Sequence, residues 1–188
     1  KREVITIKAI SDDNIHVQLI WDTPADPDQT NRCGADLDLH YLHPRGEWTD
    51  PRWDIYYKNK TANWGEPGNK DDPTLDIDDV DGAGPENVNH SPTSDGQTYR
   101  VGVYYFRAEA PNSGFGRFVD SSRCPANEPD HYGASYATVR VYINGQLEFE
   151  KKNKYMPDTG SFWDVAAIQW PSGNITSINN MHDGYPGD

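Results

Sequence analysis

The run Ser135-Tyr-Ala-Thr-Val-Arg-Val-Tyr-Ile-Asn-Gly-Gln-Leu-Glu-Phe-Glu150 decides the fold class. Ala137, Val139, Val141 and Ile143 recur at every second position, so in an extended chain their side chains fall on one face. Asn144-Gly145 then breaks the pattern. Two successive residues that tolerate positive φ specify a type I′ turn, whose twist matches that of the flanking strands. The pattern resumes at Gln146, and the run predicts a β-hairpin.

The same period extends outward from this hairpin. Val4–Ile10 is rich in β-branched residues, and Ile15, Val17, Leu19 and Trp21 alternate with polar neighbours. In Asp36–Leu42, Leu37, Leu39 and Tyr41 face one way while Asp36, Asp38 and His40 face the other. Asp54–Asn59 and Thr98–Phe106 also read as strands. Phe162–Trp170 and Ile175–Ile178 flank Pro171-Ser-Gly-Asn174 as a last hairpin. No stretch of ten or more residues keeps a helical period. An all-β chain follows, an antiparallel β-sandwich of about eight or nine strands with long polar loops. At 188 residues it forms one domain, 1–188, with a loosely held tail over 179–188.

Composition narrows the functions. The chain carries 17 Lys+Arg against 30 Asp+Glu, a net charge of −13, which excludes a phosphate-binding stripe and hence nucleic acid. No apolar run approaches the ~20 residues of a membrane span, and Lys1-Arg2-Glu3-Val4 does not read as a signal peptide. Neither a nucleophile elbow, a zinc-protease motif nor a nucleotide loop is present, so the sequence reads as a binding protein rather than an enzyme. Cys33 and Cys124 both lie in polar segments where a buried apolar thiol is out of place. They read as a disulfide pair, two free thiols being the alternative, and a disulfide places the protein outside the cell.

Charge concentrates in Asp71-Asp-Pro-Thr-Leu-Asp-Ile-Asp-Asp-Val-Asp-Gly-Ala-Gly-Pro-Glu-Asn87, which holds six aspartates, one glutamate and no basic residue. Such a stretch repels itself unless a cation sits within it. Calcium takes six to eight oxygen ligands from carboxylates and carbonyls on flexible loops. Asp36 and Asp38 leave one face of a strand at its beginning, Asp76 and Asp78 repeat that spacing, and Asp79 and Asp81 follow at the Gly82 turn. These six are the candidate calcium ligands. The alternative is a solvated acidic edge that discourages aggregation. His40 and His43, the one close histidine pair, read as structural. Trp48, Trp53 and Trp64 lie in or beside the loops before the acidic stretch, where an exposed ring contacts sugars or peptides. Covering the end of the sandwich is the alternative for these rings, and Trp21, Trp163 and Trp170 are assigned to packing.

The motifs Trp21-Asp-Thr-Pro24, Gly34-Ala-Asp-Leu-Asp-Leu-His40, Asn63-Trp-Gly65, Asp71–Gly82, Gly84-Pro-Glu-Asn87 and Tyr99-Arg-Val-Gly-Val-Tyr-Tyr105, in this order, resemble a group of bacterial secreted or surface β-sandwich domains. The group includes YfaP-like domains and ligand-binding domains near the outer end of RTX-type adhesins. The resemblance spans roughly Ile15 to Trp170 and leaves out the insertion Arg107–Gly133. It implies a calcium-stabilised extracellular module, monomeric within a longer chain, that binds a peptide or glycan on another cell. A free peptide C-terminus or a vicinal diol are both suitable ligands for an open calcium position. The resemblance also implies that Asn63, Trp64 and Glu86 shape the surface beside the metal. A structural spacer domain, or a carbohydrate-active enzyme, are the competing readings.

Overall fold

In the computed structural model, the residues described are 12–31, 33–79, 82–93, 96–109 and 128–187. Ten strands are present: β1 (Ile15–Asp22), β2 (Asp36–Leu42), β3 (Asp54–Ile55), β4 (Thr74–Ile77), β5 (Glu86–His90), β6 (Gln97–Arg107), β7 (Ser135–Ile143), β8 (Gln146–Met156), β9 (Ser161–Trp170) and β10 (Asn174–Asp183). They form two five-stranded antiparallel sheets, in the orders β4-β5-β1-β7-β8 and β10-β9-β6-β2-β3. The described residues contain no helix.

The two sheets pack because β1 and β2 each present an apolar side chain to the interior at every second position. Ile15, Val17, Leu19 and Trp21 of β1 meet Leu37, Leu39 and Tyr41 of β2 within one core that also takes in Val88, Val101, Val139, Trp163 and Val165. Asn144 and Gly145 adopt φ 49° and 76° between β7 and β8, the double positive φ of the I′ turn. A core of this kind is bound by close packing of side chains from two inner faces ~10 Å apart.

Two expectations change, and β2 shows an environment that alternation leaves open. The strand read over Asp54–Asn59 shortens to Asp54–Ile55, because Tyr56 and Asn59 exchange backbone hydrogen bonds of 3.2 and 2.8 Å and close a tight turn. The loosely held tail over 179–188 is corrected: β10 pairs with β9 as far as Asp183, and the Tyr185 ring stacks on Tyr104 at 4.5 Å. The polar face of β2 is not solvent-facing, since every residue from Asp36 to Leu42 is buried. His40 is closed in by Tyr56, Phe162, Trp48 and Tyr185, with Asp54 Oδ2 2.7 Å from its Nδ1. The strand predicted over Val4–Ile10 lies outside the described residues.

Candidate metal centre

Three carboxylates converge where the edges of the two sheets meet. Asp38 comes from β2, Glu86 from the start of β5 and Asp78 from the segment just after β4, and each offers an oxygen within 4.8 Å of the others. Glu86 is placed by register. It pairs with Leu19 across β1–β5, and directly paired residues share a face, so its side chain enters the sandwich beside a core leucine.

What it meets there is an unpaired backbone group. Strand β3 pairs only with Tyr41 and Leu42 of β2, leaving the Leu39 N–H without a strand partner on that side. Glu86 Oε2 accepts this hydrogen bond at 2.6 Å, so a carboxylate from one sheet completes the edge of the other.

Two other oxygens of the cluster have no partner. Asp38 is 3% exposed and Glu86 1%, and Asp38 Oδ2 and Glu86 Oε1 are both buried without a hydrogen-bond partner. Orphaned buried carboxylate oxygens cost several kcal/mol unless a proton or a cation joins them. Burial, then the neighbouring Asp36 and Asp78 charges, push the Asp38 carboxyl well above its ordinary range. Burial and Asp38 do the same to Glu86. Asp78 is the outward member, its side chain 19% exposed and ion-paired with Lys60 Nζ at 2.8 Å. The acidic stretch has no base of its own, and this lysine reaches in from outside it.

The donor set fits a hard cation. All three donors are carboxylate oxygens, with neither sulfur nor imidazole, which suits calcium and disfavours zinc or copper. Asp38, Asp78 and Glu86 would hold the ion, joining both sheets to the acidic loop.

Of the other proposed ligands, Asp36 stands beside the three without joining them, and the rest are placed elsewhere. Asp36 sits at a β-bulge, and Arg107 Nη2 lies 3.9 Å from its Oδ2. Asp76 is exposed on β4 and accepts a hydrogen bond from Asn89 Nδ2. Asp79 is half-buried and is not one of the convergent three. Asp81 and Cys124 lie outside the described residues; Cys33 is disulfide-bonded. Glu86, read as shaping the adjoining surface, instead belongs to the carboxylate cluster itself.

Trp64 is corrected from surface to core. It is 3% exposed, its ring stacks with Tyr41 and Tyr99 at 5.9 and 6.0 Å, and its Nε1 donates to Arg52 O at 2.7 Å. His43 and His90 meet its ring edge-on at 4.9 and 5.4 Å. These contacts bury nearly all of the ring. Asn63 donates from Nδ2 to Gly68 O at 3.1 Å and holds its own loop.

A second group, Glu109, His131 and Asp158, also brings donors within 4.8 Å, but it is already satisfied. The Gly133 N–H donates to His131 Nδ1 at 3.0 Å, so Nε2 carries the proton and donates to Asp158 Oδ1 at 2.9 Å. In that tautomer the ring's one in-plane lone pair, on Nδ1, is already taken by the Gly133 N–H.

Comparison of the chain with family models, with curated proteins and with solved structures finds no match.

Proposed function

We propose that this chain is a calcium-dependent extracellular ligand-binding module of the kind carried by bacterial adhesins, with a peptide or glycan on another cell surface as its partner. The observation that carries the calcium part is the buried, partnerless pair of oxygens on Asp38 and Glu86 facing Asp78. A divalent ion there neutralises charge from both sheets and from the acidic loop at once, which ties that loop to the sandwich. The disulfide at Cys33 supports an oxidising, extracellular setting. Asp78 is the more open donor, and through it a ligand carboxylate or diol would approach the ion.

A glycan array and a library of peptides with free C-termini, each probed in calcium and in chelator, test this function. Binding in calcium alone is the expected result. Absence of binding in both conditions refutes a ligand-binding role at the ion.

One observation favours a second reading, that of a structural spacer in a long surface protein. Asp38 and Glu86 are almost inaccessible and Trp64 belongs to the core, so an ion held there stabilises the fold without any ligand. A calcium-dependent rise in melting temperature with no ligand in either library supports the spacer.

A further inference from the structure

We propose a second binding site, for an acidic saccharide, in the loop that joins β2 to β3. This loop lines a hollow of about 700 Å³ whose walls include Arg45, Trp48, Arg52 and Trp53. That volume falls within the ~300–1,000 Å³ of small-ligand pockets. The hollow lies beyond the C-terminal end of β2, whereas Asp38 sits near its start, roughly 13 Å away along the strand at ~3.3 Å per residue. It is therefore separate from the carboxylate cluster.

The loop is built to hold one shape. His43 N donates to Trp53 O at 2.8 Å, Gly46 N to His43 O at 3.1 Å and Asp54 N to Asp50 O at 2.9 Å. The buried Asp54 carboxylate accepts from the Thr49 N–H at 2.7 Å, and this bond fixes Thr49 at φ 69°. A β-branched residue in the left-handed region is strained, and such strain persists only where the surroundings over-determine it. Gly46 serves the same end, because a Cβ there would fall 2.2 Å from Trp53 Cβ. Any other residue would displace Trp53.

The wall so presented pairs a ring with cationic forks. Trp53 is half-buried, backed by His43 at 4.6 Å, with the Arg45 guanidinium 5.7 Å from its ring centre. Arg45 and Arg52 are exposed and share the hollow with the carboxylates of Glu47 and Asp50, so an acid would be held by the two guanidinium forks themselves rather than by a net positive field. An arginine fork takes a carboxylate with two parallel hydrogen bonds. The Trp53 indole, with Arg45 laid over it and His43 packed against it, steadies that fork. The Thr49 hydroxyl and the exposed Glu47 carboxylate offer partners for sugar hydroxyls. A pyranoside bearing a carboxylate matches both.

Isothermal titration of the chain with tetragalacturonate, with sialyllactose, and with the neutral methyl ester of the former tests the assignment. Binding of either acid, with the ester roughly tenfold weaker or worse, is expected. So is equal affinity in calcium and in chelator below the melting temperature, which keeps this result independent of the calcium reading. The double variant Arg45→Gln/Arg52→Gln, both positions exposed, should melt with the parent and lose at least about tenfold in affinity. Binding of neither acid, equal binding of acid and ester, calcium-dependent binding, or an unchanged affinity in the double variant overturns the proposal.

Discussion

Glu86→Gln separates the two things that Glu86 does. Carboxylate oxygens within 4.8 Å of one another repel by about 3.5 kcal/mol per pair at an effective dielectric of ~20. Without a cation the cluster escapes this by holding a proton, which is why burial and the Asp38 charge drive the Glu86 carboxyl upward. Glutamine copies that protonated acid. Its amide oxygen still accepts from the Leu39 N–H, now bonded to Glu86 Oε2 at 2.6 Å, so the edge of β2 remains satisfied. In chelator the variant should therefore melt at or above the parent.

With calcium the order reverses. At a calcium concentration ~100 times its Kd the parent gains about 2.7 kcal/mol, or ~5–11 °C for a domain of this size. The variant has lost one of three donor charges, and its gain at the same calcium should fall below ~2 °C. Differential scanning calorimetry near neutral pH, in calcium and in chelator, reads both arms. An equal calcium shift in the two proteins refutes the assignment of Glu86 as a ligand. A variant that melts several degrees below the parent in chelator refutes the account of its repulsion.

Trp64→Ala should cost about 3–5 kcal/mol, as for any large ring removed from a packed core, and denaturant melts will show it. Gly102→Ala places a Cβ 2.4 Å from Phe162 Cζ and should cost roughly 1–3 kcal/mol, read as a lowered melting temperature. Acid should destabilise the aromatic box around Trp64. Burial holds His43 down to about 4 and His90 down to about 3, both below the unfolded ~6.5. The unfolded chain thus binds more protons in this window, and stability is whole above pH ~6.5 and falls as pH drops toward 4. His90 alone should account for roughly 3 kcal/mol between pH 7 and 4. Melts in chelator across that range should show a shallower slope in His90→Gln than in the parent.

The strands were legible because their faces differ. In β1 and β7 one face is wholly buried while the other carries the partly open positions Gln18, Ile20, Tyr136 and Arg140, and the period of two follows that difference. The Asn144-Gly145 turn was equally plain, since few residue pairs accept two positive φ values. In β2 the alternation holds, but it does not specify the environment. Alternation tells which side chains share a face, but both faces of Asp36–Leu42 are covered, one by the core and the other by long-range ring packing around His40.

The carboxylate cluster shows the same boundary more sharply. Asp36 with Asp38, and Asp76 with Asp78, each sit two apart, and an ideal strand would send both members of each pair to one place. The register shifts between Asp36 and Leu37, and again between Leu75 and Ile77. The first shift leaves Phe106 of β6 as the extra residue opposite Asp36, and the second makes Asp76 the extra residue of β4; Asp36 lies by Arg107 and Asp76 by Asn89, while Asp38 and Asp78 converge. Glu86 completes them only because β5 pairs with β1 at Leu19 and β3 is too short to reach Leu39. Those are facts of strand partnership, fixed by residues far apart in the chain. Trp64 obeys the same logic: its neighbours Asn63 and Gly65 are loop residues, yet Tyr41, Tyr99 and His90 arrive from three strands to enclose it. Local composition marks where charge and rings accumulate. Which of them meet is decided by pairing and bulges, and in this chain those choices move the carboxylates inward, away from the surface that Trp53 and its arginines occupy.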